Sequence, residues 1–210
     1  MSMTLTPSRR QRNREATIQS LLETARAIMR EEGVAGLSMQ ELARRMDMRA
    51  PSLYNYFSGK MDIYDALFRL GFSLWGEIVE KAAQASATFQ EEMQKIVEGY
   101  MTFALENPEL YQLCFERPVP GFVPSQEGLD LSFGLLEYSR QRVETYKHEL
   151  NTSLTSEQIV NLTIAMSHGL TALHMANEPH LPVGEGRFGS LIPIALSMLE
   201  KTILEEGESQ

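Results

Sequence analysis

Arg49, Ser52, Tyr54, Asn55 and Lys60 lie within one short stretch, and their side chains suit a nucleic-acid duplex. An Asn amide pairs with adenine, a Ser hydroxyl donates or accepts, and an Arg guanidinium reaches guanine or phosphate. Tyr and Lys are the types that hold phosphate oxygens and so fix a register without reading it. The set works only if one face of a helix presents it.

The positioning elements are legible in Ser38 to Phe57, SMQELARRMDMRAPSLYNYF. Apolar residues fall at Met39, Leu42, Ala43 and Met46, then at Ala50, Leu53 and Phe57, which is helical spacing in two short segments around Asp47. Each is too short to be stable alone, so the pair is expected to be a helix-turn-helix packed on a third helix. On a helical wheel Leu53 and Phe57 point inward. Pro51, Ser52 and Asn55 point roughly opposite, with Tyr54 and Tyr56 on the flanks. Ser38-x-x-Glu41 reads as a capping box that leaves free amides near a phosphate. The candidate contact set is Ser38, Arg49, Ala50, Pro51, Ser52, Tyr54, Asn55, Tyr56 and Lys60.

The pattern S-M-x-E-L-A-x-x-M-x-M-x-x-x-x-L-Y-N-Y-F-x-x-K resembles the TetR family of bacterial transcription regulators over roughly the first third of the chain. Asp47 stands where that family usually has Gly, and Asp tolerates a left-handed turn better than most residues. The resemblance implies an all-α protein: a three-helix DNA-binding head, a long connecting helix, and a helical ligand-binding and dimerisation body. It further implies a homodimer on a palindromic operator, released by a small-molecule effector. Asn107 to Phe115, N-P-E-L-Y-x-L-x-F, resembles a subset of such bodies that carry a downstream Trp-His-Gly; here His168-Gly169 is present without the tryptophan.

Composition allows a full core, in one large or two small domains, since 43% of 210 residues are hydrophobic. No apolar run approaches a membrane span and no stretch resembles a signal peptide, so a cytoplasmic protein with no membrane partner is expected. The single cysteine, Cys114, excludes an internal disulfide and a cysteine zinc cage. The charge of −9 is unevenly spread: residues 1–70 hold eleven Lys and Arg against eight Asp and Glu, and the remainder eight against twenty. A basic head on an acidic body would orient an encounter with DNA, although acidic surfaces also serve solubility alone.

Taken in order, residues 1–14 read as a basic arm with Pro7, Arg9, Arg10, Arg12 and Arg14, either tracking a groove or simply solvated. A helix from about Glu15 to Glu32, with Ile18, Leu21, Leu22, Ala25, Ile28 and Met29, would support the two short ones, and residues 15–75 form the expected head. Ser58 is the expected cap of a long helix from Lys60 to about Ala85 that leads into the body, residues 76–210. Helices are expected from Thr88 to Asn107, Pro108 to about Glu116, Gln126 to Leu150, Ser156 to Asn177 and Phe188 to Glu205. Ala165, Gly169, Ala172 and Ala176 would let another helix approach closely, and Leu191, Ile194, Ala195, Met198 and Leu199 give the last helix an apolar face. These last two helices are the expected dimer surface, if they are not intramolecular core; Pro193 fits only in a first turn.

Catalytic signals are poor. His148, His168, His174 and His180 lack metal-site spacing, Cys114 has no evident base, and neither metal nor cofactor is expected. A pocket for a hydrophobic effector is better supported by Trp75, Met93, Tyr100, Phe103, Tyr111, Phe115, Phe133 and His168, accompanied by Met101, Phe122, Tyr138 and Met166. Two alternatives stay open: a DNA-binding regulator without effector, and a helical small-molecule-binding protein or enzyme without operator recognition.

Overall fold

The computed structural model describes residues 8–150 and 152–208, and among them every regular element is helical. The first seven residues of the expected arm, and the side chain of His148, lie outside the described residues. The helices are α1 (Arg9–Glu32), α2 (Met39–Arg45), α3 (Ala50–Leu53), α4 (Lys60–Gln84), α5 (Phe89–Glu106), α6 (Pro108–Tyr111), α7 (Gln126–Leu150), α8 (Ser156–Asn177), α9 (Gly186–Gly189) and α10 (Ile192–Glu208).

Two compact units result. The first takes the residues up to Leu70 together with Glu109–Ser125; the second takes Gly71–Pro108 and the residues from Gln126 onward. The first unit is built on α1, which buries Leu21, Leu22, Ala25, Ile28 and Met29 on one stripe. Leu42 and Ala43 of α2, Leu53 of α3, and Ile63, Tyr64 and Leu67 of α4 are buried in the same unit. Tyr64 has a polar atom to satisfy there, and its hydroxyl donates to the Val34 carbonyl at 2.7 Å.

Residues 109–125 complete this unit by long-range contacts that no local pattern announces. Glu109, with a fully buried side chain, accepts from Arg26 at 2.6 Å and from Arg30 at 2.6 and 3.0 Å, both on α1. Phe122 packs its ring 5.8 Å from that of Tyr64 and 6.0 Å from that of Phe68. Ser125 donates its backbone N–H and its hydroxyl to Asp65, at 2.7 and 2.9 Å. The Cys114 thiol points at the Phe68 carbonyl, 3.7 Å away, and burial pushes it up to about 12.

In the second unit α8 packs on α5, α7 and α10. Its core gathers Phe89, Met93, Val143, Tyr146, Ile159, Leu199 and Ile203. One carboxylate, Glu92, is buried there; Arg142 (2.6 Å) and the Tyr146 hydroxyl (2.8 Å) donate to it.

Several boundaries differ from the sequence reading. Arg9, Arg10, Arg12 and Arg14, expected in the basic arm, form the first turns of α1, whose N-cap is Ser8 accepting from the Gln11 amide. The helix expected from Pro108 to Glu116 gives way after Tyr111 to a wider π-type turn and stops at Arg117, which is left-handed at φ 51°. The last helix begins at Ile192 rather than Phe188, after the separate short α9, and Pro193 falls in its first turn as required.

Candidate nucleic-acid interface

Ser38 caps α2 through a hydrogen bond from the Glu41 amide at 3.2 Å. The reciprocal half of the expected capping box is absent. The Glu41 carboxylate instead accepts from Arg44 at 2.7 and 2.8 Å and from Arg45 at 2.6 Å. Charged donors outcompete a neutral amide for a carboxylate, and these bonds, Arg44 first and Arg45 second, hold Glu41 down at about 2. Arg45 is also tied to Glu31 and Glu32, whereas the Arg44 side chain is 71% exposed.

The turn closes as the sequence suggests. Asp47 takes φ 50° in the left-handed region, and the Met48 amide returns to the Ala43 carbonyl at 2.9 Å. The α3 that follows is shorter than the expected Arg49 to Phe57: after Leu53 the amides of Asn55 and Tyr56 bond three residues back, which tightens the chain into turns. Leu53 and Phe57 face the core, while Arg49, Pro51, Tyr54 and Asn55 are exposed and Ala50, Ser52 and Tyr56 are half-buried. Among the described residues the side chains of Arg49, Ser52, Tyr54, Asn55 and Lys60 make no hydrogen bond or ion pair. Donors and acceptors left open are what direct readout of base edges uses.

Arg14, a residue that the sequence reading assigned to the arm, braces this surface. Its guanidinium donates to the Asn55 carbonyl at 2.8 Å and lies 5.4 Å from the centre of the Tyr56 ring. Residues 41 positions apart carry no shared local signal, so only the folded head reveals the contact. Ser58 is engaged otherwise than as a simple cap: its amide (2.9 Å) and its hydroxyl both donate to Asp62, and these bonds lower that carboxyl. Lys60 opens α4 and is half-buried.

The candidate ligand residues are dispersed. Trp75, Tyr100, Phe103 and His168 come together in the second unit, with Trp75 5.2 Å from Tyr100 and 6.4 Å from Phe103, ring centre to ring centre. The Tyr100 hydroxyl and His168 Nδ1 share a hydrogen bond at 3.0 Å. Met93 is core, Phe133 is 63% exposed, and Tyr111 and Phe115 pair with each other in the first unit, where the chain after Pro108 turns toward α1. An open cavity of about 440 Å³ lies elsewhere in the second unit, between Phe72, Ser73, Gly76 and Glu80 of α4 and Asp130, Leu131, Gly134, Leu135 and Tyr138 of α7. Among the described residues no three His, Cys, Asp or Glu gather as a metal set, and no helix is long and apolar enough to cross a membrane.

A braced helix-turn-helix with an unpaired polar outer face, in an all-helical chain, is the arrangement that a DNA-binding head requires. Residues 21–67 match the model of the bacterial regulatory proteins of the tetR family. The HTH-type transcriptional regulator YobS of Bacillus subtilis is 30% identical over 97 residues, covering 46% of this chain and 50% of that one. The chain spans about half the length of the curated relatives it matches. The fold is shared over nearly the whole chain with a solved protein of unknown function from Rhodococcus sp. RHA1, at TM-score 0.75 and 18% identity, covering 96% of this chain and 98% of that one. The transcriptional regulator FadR of Bacillus subtilis, solved with stearoyl-CoA, has TM-score 0.70 at 15% identity, covering 86% and 96%.

Proposed function

We propose that the protein is a transcription regulator, acting in the cytoplasm as a repressor, that binds a palindromic operator as a homodimer and is released by a hydrophobic small molecule. The observation that carries the reading is the surface flanking α3: Arg49 before it, and Tyr54 and Asn55 in the turns after it, exposed and unpaired, with the Asn55 carbonyl held by Arg14. In this reading Asn55, Ser52 and Arg49 meet base edges; Ser38, Tyr54, Tyr56 and Lys60 hold phosphates; and Ala50 and Pro51 let the backbone come close.

The dimer is supported by an apolar face left uncovered on the last helices. Leu173 of α8 is 47% exposed, and Ile194 and Met198 of α10 are 58% and 65% exposed. Ala165, Gly169 and Ala176 are exposed on α8 as well, which would admit a second helix closely. Two copies related by a two-fold axis would place two heads on two half-sites about one helical turn, or a multiple, apart. A small-molecule trigger is supported by the FadR likeness, since that regulator was solved with a ligand.

The test is fluorescence anisotropy of the purified chain with DNA from upstream of its own gene, against unrelated DNA, across a salt series. Specific binding well above the control is the expected result. Equal, weak and steeply salt-dependent binding to both would reduce the head to phosphate contacts and overturn the reading. A reporter fused to the bound DNA then gives the sign of regulation.

A further inference from the structure

The cavity of the second unit has walls that repeat at one-turn spacing: Phe72, Gly76 and Glu80 on α4, and Asp130, Gly134 and Tyr138 on α7. Its openness comes from the two glycines. A Cβ built on Gly76 or on Gly134 meets no atom within 4 Å, so a side chain at either place would project into free space. Glycine inside a helix is less stable than alanine, and here it leaves a groove instead of a filled seam.

The chemistry of the walls is one-sided. Phe72 and Tyr138 offer aromatic surface, and Glu80 and Asp130 offer carboxylates; no Lys, Arg or His lines the space. Among the described residues neither carboxylate has a cationic partner: each takes only a Gln amide, from Gln84 at 3.3 Å and from Gln126 at 2.7 Å. Aromatic faces and carboxylates both attract positive charge. From Phe72 to Glu80 the wall spans about 12 Å of helix, enough for a compact organic molecule. A CoA thioester of the kind that FadR was solved with would set its phosphates against like charge here.

We propose that this groove binds a lipophilic organic cation, its apolar body against Phe72 and Tyr138 and its charge answered by Asp130 and Glu80. The inference rests on the effector-released reading above and gives that effector its chemical class.

Tetraphenylphosphonium and tetraphenylborate are near-identical in shape and opposite in charge, which makes them the probes. Calorimetric titration of the full chain is expected to show the phosphonium binding at least about tenfold more tightly than the borate. Asp130→Asn with Glu80→Gln should bring the two within about threefold of each other, and Gly134→Leu, which fills the groove, should abolish binding of both. Helical circular dichroism and melting of each variant show that it is folded. Equal or tighter binding of the borate to the unaltered chain, or phosphonium binding that survives Gly134→Leu, overturns the proposal. Operator anisotropy on the same preparation keeps the two readings apart. Specific DNA binding without phosphonium binding sinks the cation groove and leaves the regulator, whereas phosphonium binding without DNA binding does the reverse.

Discussion

Replacing Arg14 separates two roles that a basic residue near DNA can have. If the guanidinium is a brace, its contributions are the charged hydrogen bond to the Asn55 carbonyl and the stacking on Tyr56. Such bonds contribute about 1.5–3 kcal/mol and exposed cation–π contacts about 0.5–1 kcal/mol. Arg14 is exposed, so the low ends apply and water restores part of the loss. About 1.4 kcal/mol remains, a tenfold loss of operator affinity if α3 must be re-ordered on binding. Arg14→Lys keeps the charge but loses the planar stack and the fork geometry, so it is expected to lose nearly as much as Arg14→Gln. The assay is operator anisotropy across a salt series, in which a lost phosphate contact lowers the salt slope by about one and a lost brace leaves it unchanged. Full affinity in Arg14→Lys, together with a slope reduced by about one in Arg14→Gln, would refute the brace.

Three further outcomes are expected. Glu109→Ala leaves Arg26 and Arg30 without their shared carboxylate and should destabilise the first unit by about 3 kcal/mol in urea unfolding; Arg26→Ala should cost more than Arg30→Ala, because their side chains are 20% and 44% exposed. Ile194→Glu puts a charge on the uncovered face of α10 and should give monomers in sedimentation, while a dimer unchanged at micromolar concentration would move the interface elsewhere. Glu41 is held below its ordinary value, so its contribution is present above about 4.5 and disappears as pH falls toward about 2; Glu41→Gln should flatten that part of an acid titration followed by circular dichroism.

Elements whose stability is local were readable from the sequence. The stripes of α1 and α2, the Ser38 cap and the left-handed Asp47 each depend on neighbours within a few residues. The start of α1 was not, because Arg9 to Arg14 bury nothing and their helix rests on the Ser8 cap and the turns that follow. Nor was the destination of Glu109, or the union of Tyr111 and Phe115 with the head, since an ion pair across 83 positions leaves no periodic trace. The groove was the least legible part: Gly76 and Gly134 are unremarkable helix glycines until packing sets them across from each other. Aromatic content pointed instead to Trp75, Tyr100 and Phe103, whose rings lie against one another.

The return of Glu109–Ser125 to the head also sets a timetable for synthesis. A ribosome that has made α1 to α4 has joined every residue of the proposed reading face, yet the Arg26 and Arg30 guanidinium groups still lack their carboxylate, and the ring of Phe122 has yet to reach Tyr64 and Phe68. The head reaches its finished form only after Ser125 has emerged, when α5 is already complete. Chains truncated between α4 and Glu109 are therefore expected to expose a loosened head and to compete poorly for the proposed operator, and a chimera that grafts this head onto another body is expected to need residues 109–125 with it.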